Sequence, residues 1–488
     1  MGRATIVLAS ITAAFMLSGA ALAAEAPAAP PSAATSGAPS AVPPAVPTAA
    51  PSASASAAPA AHPLLASIAG DVKPEELKKT IDRLVGFGTR HTLSDTRSNT
   101  RGIGAARRWV KARFAEIGAQ CGGCLTIETP VDTVQGERVP KPTEIMDVLA
   151  VQKGTSDPNR VIVIAGHLDS RVSDPMNATS DAPGADDDGS GVAAVIEAAR
   201  VLSRHRYPAT LVFAVLSGEE QNLYGGKLLA KTALAHRWQV EADLNNDIVG
   251  NSTGENGAHD AAHVRVFSEG TKSTETPDEA THRRYNGGEV DSPSRNLARF
   301  IDGLAGQYLT GFSARMVYRT DRFERGGDQV PMLAAGFPAV RFSEAVENYT
   351  HEHQDVRDEN GIRYGDRAQF IDVAYLAQVA RLNAVTMAAL AMAPMPPAEV
   401  SIAGAVGHDT KVSWSKAAGA AAYRVWWRDT TAPLWTDMRD AGDADTLTLK
   451  DVTIDDWFFG VSSLSADGYE SPVEFPGVAG AFAAPVRR

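Results

Sequence analysis

Five short stretches of this sequence place histidines and carboxylates where a strand would end or a helix begin. Gly166-His167-Leu168-Asp169 directly follows the apolar run 161–165, and Gly218-Glu219-Glu220 follows the run 211–216. Asp247 lies in the β-branched run 242–248, and His351 lies on the segment after 339–342. Ala185-Asp186-Asp187-Asp188-Gly189 sits just before a stretch with helical spacing at 190–204. Imidazoles and carboxylates together are a ligand set suited to zinc in a hydrolytic site. A carboxylate bridging two such cations would hold them about 3.5–4 Å apart. Taken singly, each motif has an ordinary explanation as a surface pair, an acidic loop or a helix cap. Their joint occurrence, in order and at strand ends, is what points to one site.

The elements that must carry these residues are legible in outline. Amphipathic helical spacing covers 74–87 and 104–125, and short β-branched runs lie at 160–165, 210–216, 242–248 and 339–342. Strands alternating with helices predict an α/β fold: a three-layer sandwich with a mixed, largely parallel central sheet over residues 63–395. In such sheets the carboxyl ends of the parallel strands share one edge, where ligand sites are built. After Pro394-Met395-Pro396-Pro397 the pattern becomes all-β, and residues 396–488 read as a small β-sandwich domain. Trp414 and the strand Tyr423-Arg424-Val425-Trp426-Trp427 resemble a fibronectin type III module, with Trp457 where that family usually carries a tyrosine.

The N-terminal end has a different character. Arg3, the uncharged stretch 6–22 and Ala21-Leu22-Ala23 read as a signal peptide over 1–24, so a secreted or periplasmic protein is expected. Residues 25–62 are almost entirely Ala, Pro, Ser, Thr, Val and Gly, the composition of a disordered linker. No later segment offers the ~18 uninterrupted apolar residues of a membrane span. With 488 residues, 44% of them hydrophobic, the chain can bury a large core. A net charge of −12 argues against a sequence-independent hold on nucleic acid. The two cysteines, Cys121 and Cys124, are expected to form a small structural disulfide apart from the site. Three sequons, at Asn177, Asn251 and Asn348, match a glycosylation pattern.

The motifs together resemble the di-zinc aminopeptidases of the bacterial leucyl aminopeptidase type, with glutamate carboxypeptidase, glutaminyl cyclase and the transferrin receptor ectodomain as more distant relatives. The likeness runs from Gly166-His167-Leu168-Asp169-Ser170 through Pro183 to Gly191, Ser217 to Glu220, Leu223 to Gly226 and Asn246 to Gly250. It ends in Gly336 to Val340 and Asn348-Tyr349-Thr350-His351. The resemblance implies two Zn2+ per chain, held by His167, Asp187, Glu220, Asp247 and His351, with Asp187 bridging. His351 is preferred because it stands four residues before Asp355, and His353 is the alternative. The resemblance also implies Glu219 as general base and Asp169 as the carboxylate that orients the His167 ring. Gln329 stands where relatives usually carry a histidine.

The function implied is a metallo-exopeptidase that hydrolyses N-terminal residues from peptide substrates. A carboxypeptidase or glutaminyl cyclase of the same fold, or a non-catalytic secreted binding or adhesion protein, are the alternatives. The C-terminal module would bind a surface, a polysaccharide or only its own catalytic domain, and the sequence leaves these open.

Overall fold

A computed structural model describes residues 61–482. The expected signal peptide, and the linker up to residue 60, lie outside the described residues. Helices α1 (Pro63–Asp71), α2 (Pro74–Val85) and α3 (Gly102–Gln120) open the fold. Strands β1 (Thr126–Glu128), β2 (Val131–Gly136), β3 (Val139–Met146), β4 (Val148–Gln152) and β5 (Asp157–His167) follow. Then come α4 (Gly189–Leu202), β6 (Ala209–Leu216), α5 (Tyr224–His236), β7 (Gln239–Asn246) and β8 (His263–Phe267). The larger part closes with α6 (Pro277–Asn286), α7 (Pro293–Tyr308), β9 (Ser313–Val317), α8 (Gln329–Ala334), β10 (Ala339–Glu344), the hairpin β11 (Arg357–Glu359) and β12 (Ile362–Tyr364), and α9 (Val373–Met392).

Eight strands form one twisted sheet in the order β1-β4-β6-β5-β7-β10-β8-β9. The central four, β6, β5, β7 and β10, are parallel, and the outer pairs are mixed. The sheet is apolar on consecutive residues because both faces are covered. In β5, Ile162 and Ile164 join a core with Phe213, Val195 of α4, Leu297 of α7 and Leu382 of α9. Their neighbours Val161, Val163 and Ala165 point the other way, into a second core with Leu229 of α5 and Met332 of α8. Each fully buried Ile, Leu or Phe contributes about 1.5–3 kcal/mol. The expected three-layer α/β sandwich with a largely parallel sheet is therefore the fold.

Helix α9 is long and apolar enough to cross a membrane by length and composition, but 78% of the qualifying window is buried inside the protein. It is a core helix of the sandwich.

Beyond α9 the chain forms β13 (Ala398–Ala403), β14 (Thr410–Ser415), β15 (Ala422–Asp429), β16 (Asp437–Gly442), β17 (Thr446–Leu449) and β18 (Trp457–Leu464). These make two antiparallel sheets, β13-β14-β17 and β16-β15-β18, over a core that includes Val412, Trp414, Tyr423, Val425 and Phe459. The module is fastened to the larger part by buried charge. Arg428 donates to both oxygens of Asp291 at 2.8 and 2.9 Å, and Arg299 reaches the same carboxylate at 2.8 Å.

Cys121 and Cys124 are disulfide-bonded where α3 ends. Of the three sequons, Asn251 is buried, and its amide donates to the Thr253 carbonyl and to Glu344.

Candidate metal centre

The parallel register brings the ends of four strands to one edge. His167, the last residue of β5, pairs with Leu216, the last of β6. Asn246, the last of β7, pairs with Phe342 near the end of β10. The loops that leave these ends carry Asp169, Glu219, Glu220, Asp247 and the 348–353 segment. Asp188 ties the strand edge to the helix layer. Its carboxylate accepts the His167 N–H at 2.8 Å and caps α4 through the Gly191 N–H at 2.9 Å. The packing there is close: a Cβ on Gly191 would lie 2.4 Å from the Asn246 carbonyl oxygen.

Asp187 sits at the centre and divides its two oxygens between two imidazoles. Oδ1 lies 3.1 Å from His167 Nε2, and Oδ2 lies 2.8 Å from His353 Nε2. Asp247 Oδ1 is 3.8 Å from the same His167 nitrogen, and Glu220 Oε1 is 3.2 Å from the His353 nitrogen. Two groups of donor atoms result: His167, Asp187 and Asp247 in one, and Asp187, Glu352 and His353 in the other, with the atoms of each group within 4.8 Å of one another. His167 Nε2 and Glu220 Oε1 are buried without a hydrogen-bond partner among the described residues. Buried polar atoms left unpaired are costly, and donors of this kind aimed at one another fit divalent cations between them. The donor set therefore suits zinc, with Asp187 shared by the two positions.

The electrostatics follow from this crowding. Burial opposes the charge on Asp187, but His353 and His167 beside it hold its carboxyl well below the usual range. Burial likewise disfavours the imidazolium of His167, yet Asp187 and Asp247 hold its pKa well above the usual value. Asp247 is lowered despite its burial, because Arg341 Nη1 lies 2.6 Å from its other oxygen. Glu219 is pushed the opposite way. Burial, with the charges of Asp247, Glu220 and Asp328, lifts its carboxyl well above the carboxylate range against the pull of His167.

One expectation is corrected by the geometry, and a second is extended. His353, not His351, faces Asp187 and Glu220. His351 stacks on Phe370 with ring centroids 3.7 Å apart, and burial pushes its pKa down to about 4. His353, the alternative to the His351 preferred on its four-residue spacing to Asp355, takes a left-handed backbone, φ 53°. Asp169 meets the His167 ring with its carboxylate, whose Oδ1 lies 3.8 Å from Nδ1, and more closely with its carbonyl. The ring Nδ1 lies 3.1 Å from the Asp169 main-chain carbonyl, which can only accept, so a hydrogen on Nδ1 is favoured and Nε2 would be free for a metal that displaces its proton. The Asp169 carboxylate also accepts the N–H groups of Gly218 at 2.7 Å, Glu219 at 3.3 Å and Glu220 at 3.1 Å. It fixes the turn that aims the two glutamates.

Two residues around the site, Arg90 and Asp366, carried no sequence signal. Arg90 is fully buried and donates to the carbonyls of Leu168, Pro183 and Gly184, joining the His167 loop to the Asp187 loop. Its pKa is pushed down to about 10 by burial. Asp366 accepts the Asp186 and Asp187 N–H groups at 2.9 and 2.7 Å from the opposite side. Gln329 donates to Asp321 at 2.6 Å and accepts from Asn245 at 3.2 Å, a structural use of the position.

A profile described as "Peptidase family M28" matches residues 147–375, which span all of these loops. A "Probable zinc metalloprotease" of Pyrenophora tritici-repentis is 43% identical over 419 residues, covering 84% of this chain and 86% of that one. A protein of the same description from Pyricularia oryzae is 44% identical over 423 residues, covering 84% of each. Among solved structures, LapB from Legionella pneumophila is similar at 18% identity and a TM-score of 0.49, covering 69% of this chain and 77% of that one.

Proposed function

The chain belongs to peptidase family M28, and on that premise we propose that it is a zinc metallopeptidase that removes N-terminal residues from peptides with two zinc ions. The observation that carries this reading is Asp187, whose two oxygens face His167 and His353 separately. His167 and Asp247 would complete one position, and Glu220 and His353 the other. Bound zinc supplies Lewis-acid polarisation of the scissile carbonyl and a water of lowered pKa.

The remaining chemistry belongs to the chain itself. Glu219 takes a proton from the attacking water at its carboxylate and returns one to the leaving amine. Its carboxylate has no hydrogen-bond or ion-pair partner among the described residues, so it is available for that exchange. Glu220 faces His353 and is committed to the metal position. The Asp169 carboxylate holds both glutamates in register.

Amino-terminal preference rests on the likeness of the site loops to aminopeptidases. The signal-like N-terminus supports export, which N-terminal sequencing of the mature protein checks. A carboxypeptidase is the second reading, favoured by Arg171 at 3.8 Å from Glu220 and by Arg325, whose side chain is 32% exposed. Either guanidinium could hold a substrate carboxylate. The test is hydrolysis by the zinc-loaded protein of aminoacyl reporters, free and N-acetylated, beside peptides with a free C-terminus and a blocked N-terminus. Cleavage of the free-amine reporters alone is expected. Cleavage of the N-blocked peptides from their carboxyl end would favour the second reading.

A further inference from the structure

Glu352 stands beside this site, and the five ligands implied by the sequence leave it without a task. It is 9% exposed, and its Oε1 is held by Arg325. Its Oε2 is buried and has no hydrogen-bond partner among the described residues. A Glu352 oxygen lies within 4.8 Å of ligand atoms of both Asp187 and His353. An unpaired buried carboxylate oxygen is costly unless a cation or a donor reaches it.

The backbone explains how it gets there. The Glu352 N–H donates to the Asn348 carbonyl at 3.2 Å, and His353 follows in a left-handed conformation. The turn thereby presents two successive side chains to one place. In an extended segment successive side chains point to opposite sides. Arg325, with Arg322 at 3.6 Å, anchors Oε1, and Oε2 is left without a protein hydrogen-bond partner among the described residues.

We propose that Glu352 is a further protein ligand to the zinc position that Asp187, Glu220 and His353 surround. This rests on the two-metal reading and deepens it. That position then has four protein ligands, while the position of His167, Asp187 and Asp247 has three. The two are unequal in a defined sense. The four-ligand position is richer in anionic oxygen donors and keeps its ion longer against a chelator. The three-ligand position, whose Asp247 is shared with Arg341 at 2.6 Å, releases its ion first and keeps more of its coordination open to water and substrate.

The test is zinc competition against a chromophoric chelator for wild type, Glu352→Gln and Arg325→Gln, with the melting temperature of each metal-free protein as the folding control. Wild type should show two zinc equivalents of unequal affinity. Glu352→Gln should weaken the tighter one by at least about tenfold and leave the weaker one unchanged. Arg325→Gln removes the same ion pair but keeps the carboxylate, and should retain the tight site to a much greater degree. Cobalt(II) loading gives a second readout, because the visible absorption of the tight-site ion should intensify as its coordination number falls in Glu352→Gln. Unchanged affinities and spectrum in Glu352→Gln would overturn the proposal while two equivalents in wild type left the two-metal reading intact. An equal loss in Arg325→Gln would also overturn it, since the carboxylate would then act only by holding the loop. A single equivalent in wild type would count against the two-metal reading, and the proposal would fall if that equivalent were indifferent to Glu352→Gln.

Discussion

The metal centre and the junction with the C-terminal module are both buried, both charged and both assembled from residues far apart in sequence. At the junction both oxygens of the one carboxylate meet guanidiniums, although Arg428 Nε has no hydrogen-bond partner among the described residues. The Asp291 carboxylate is flanked by the guanidiniums of Arg428 and Arg299, and the second of these also donates to the Pro433 carbonyl at 2.7 Å. Trp435 adds a hydrogen bond to Asn296 at 3.1 Å. At the centre the carboxylates are not all met in this way. Asp187, Asp247, Glu219, Glu220 and Glu352 crowd around two imidazoles, and His167 Nε2, Glu220 Oε1 and Glu352 Oε2 have no hydrogen-bond partner among the described residues. A cluster whose carboxylate is fully engaged by protein cations is holding a structure together, whereas one rich in carboxylates and short of positive charge is shaped for a cation to bind.

That contrast can be broken by mutation, beginning with the largest effect. Asp187→Asn removes the shared carboxylate, and metal analysis should show loss of most bound zinc, with activity down by at least about 10⁴-fold. Glu219→Gln should keep the zinc content of wild type and lower kcat by about 10²–10⁴-fold, measured on the same free-amine reporter. Loss of zinc in that variant would contradict the role given to Glu219. At the junction the signature reverses. Asp291→Asn leaves Arg428 and Arg299 without their shared anion and should cost about 3–5 kcal/mol in denaturant unfolding, with zinc content unchanged.

The smallest effect concerns pH. Glu474, in the C-terminal part, is pushed up to about 8 by burial, with Lys272 across the junction opposing. Its folded pKa exceeds the ordinary value of 4.5, so the native state binds the extra proton between those limits. Stability from this group is complete below about pH 4.5 and is lost as the pH rises towards about 8. Glu474→Gln should flatten that slope, gaining at least about 1 kcal/mol over wild type at pH 8 to 9. An unchanged slope would show that burial does not hold this carboxyl neutral.

Much of the centre was legible because its residues lie at the ends of apolar runs, where strand order alone predicts convergence. That parallel strands share an edge brings the stretches holding His167, Glu220 and Asp247 together, but the choice of Asp187 among three aspartates and of Glu220 over Glu219 came from the family resemblance. What the sequence left open or hid depends on backbone direction or on distant partners. The sequence offered both His351 and His353, and the turn that His353 takes in a left-handed conformation favours the second. Arg90 and Asp366 act on the Asp187 loop from 97 and 179 residues away, and such pairing has no local signature. The second use of Asp169, its carboxylate holding the turn of the two glutamates, is likewise invisible in a residue name. The all-β pattern of the last ninety or so residues was readable from alternation, but Arg428 reads as one more strand residue until Asp291 is placed beside it.

The most direct measurement of the central claim is anomalous diffraction at the zinc absorption edge from crystals of the zinc-loaded protein. Two peaks are expected, one on each side of the Asp187 carboxylate, the first against His167 and Asp247 and the second against His353 and Glu220. No peak beside Asp187, or zinc held only elsewhere on the chain, would contradict the account.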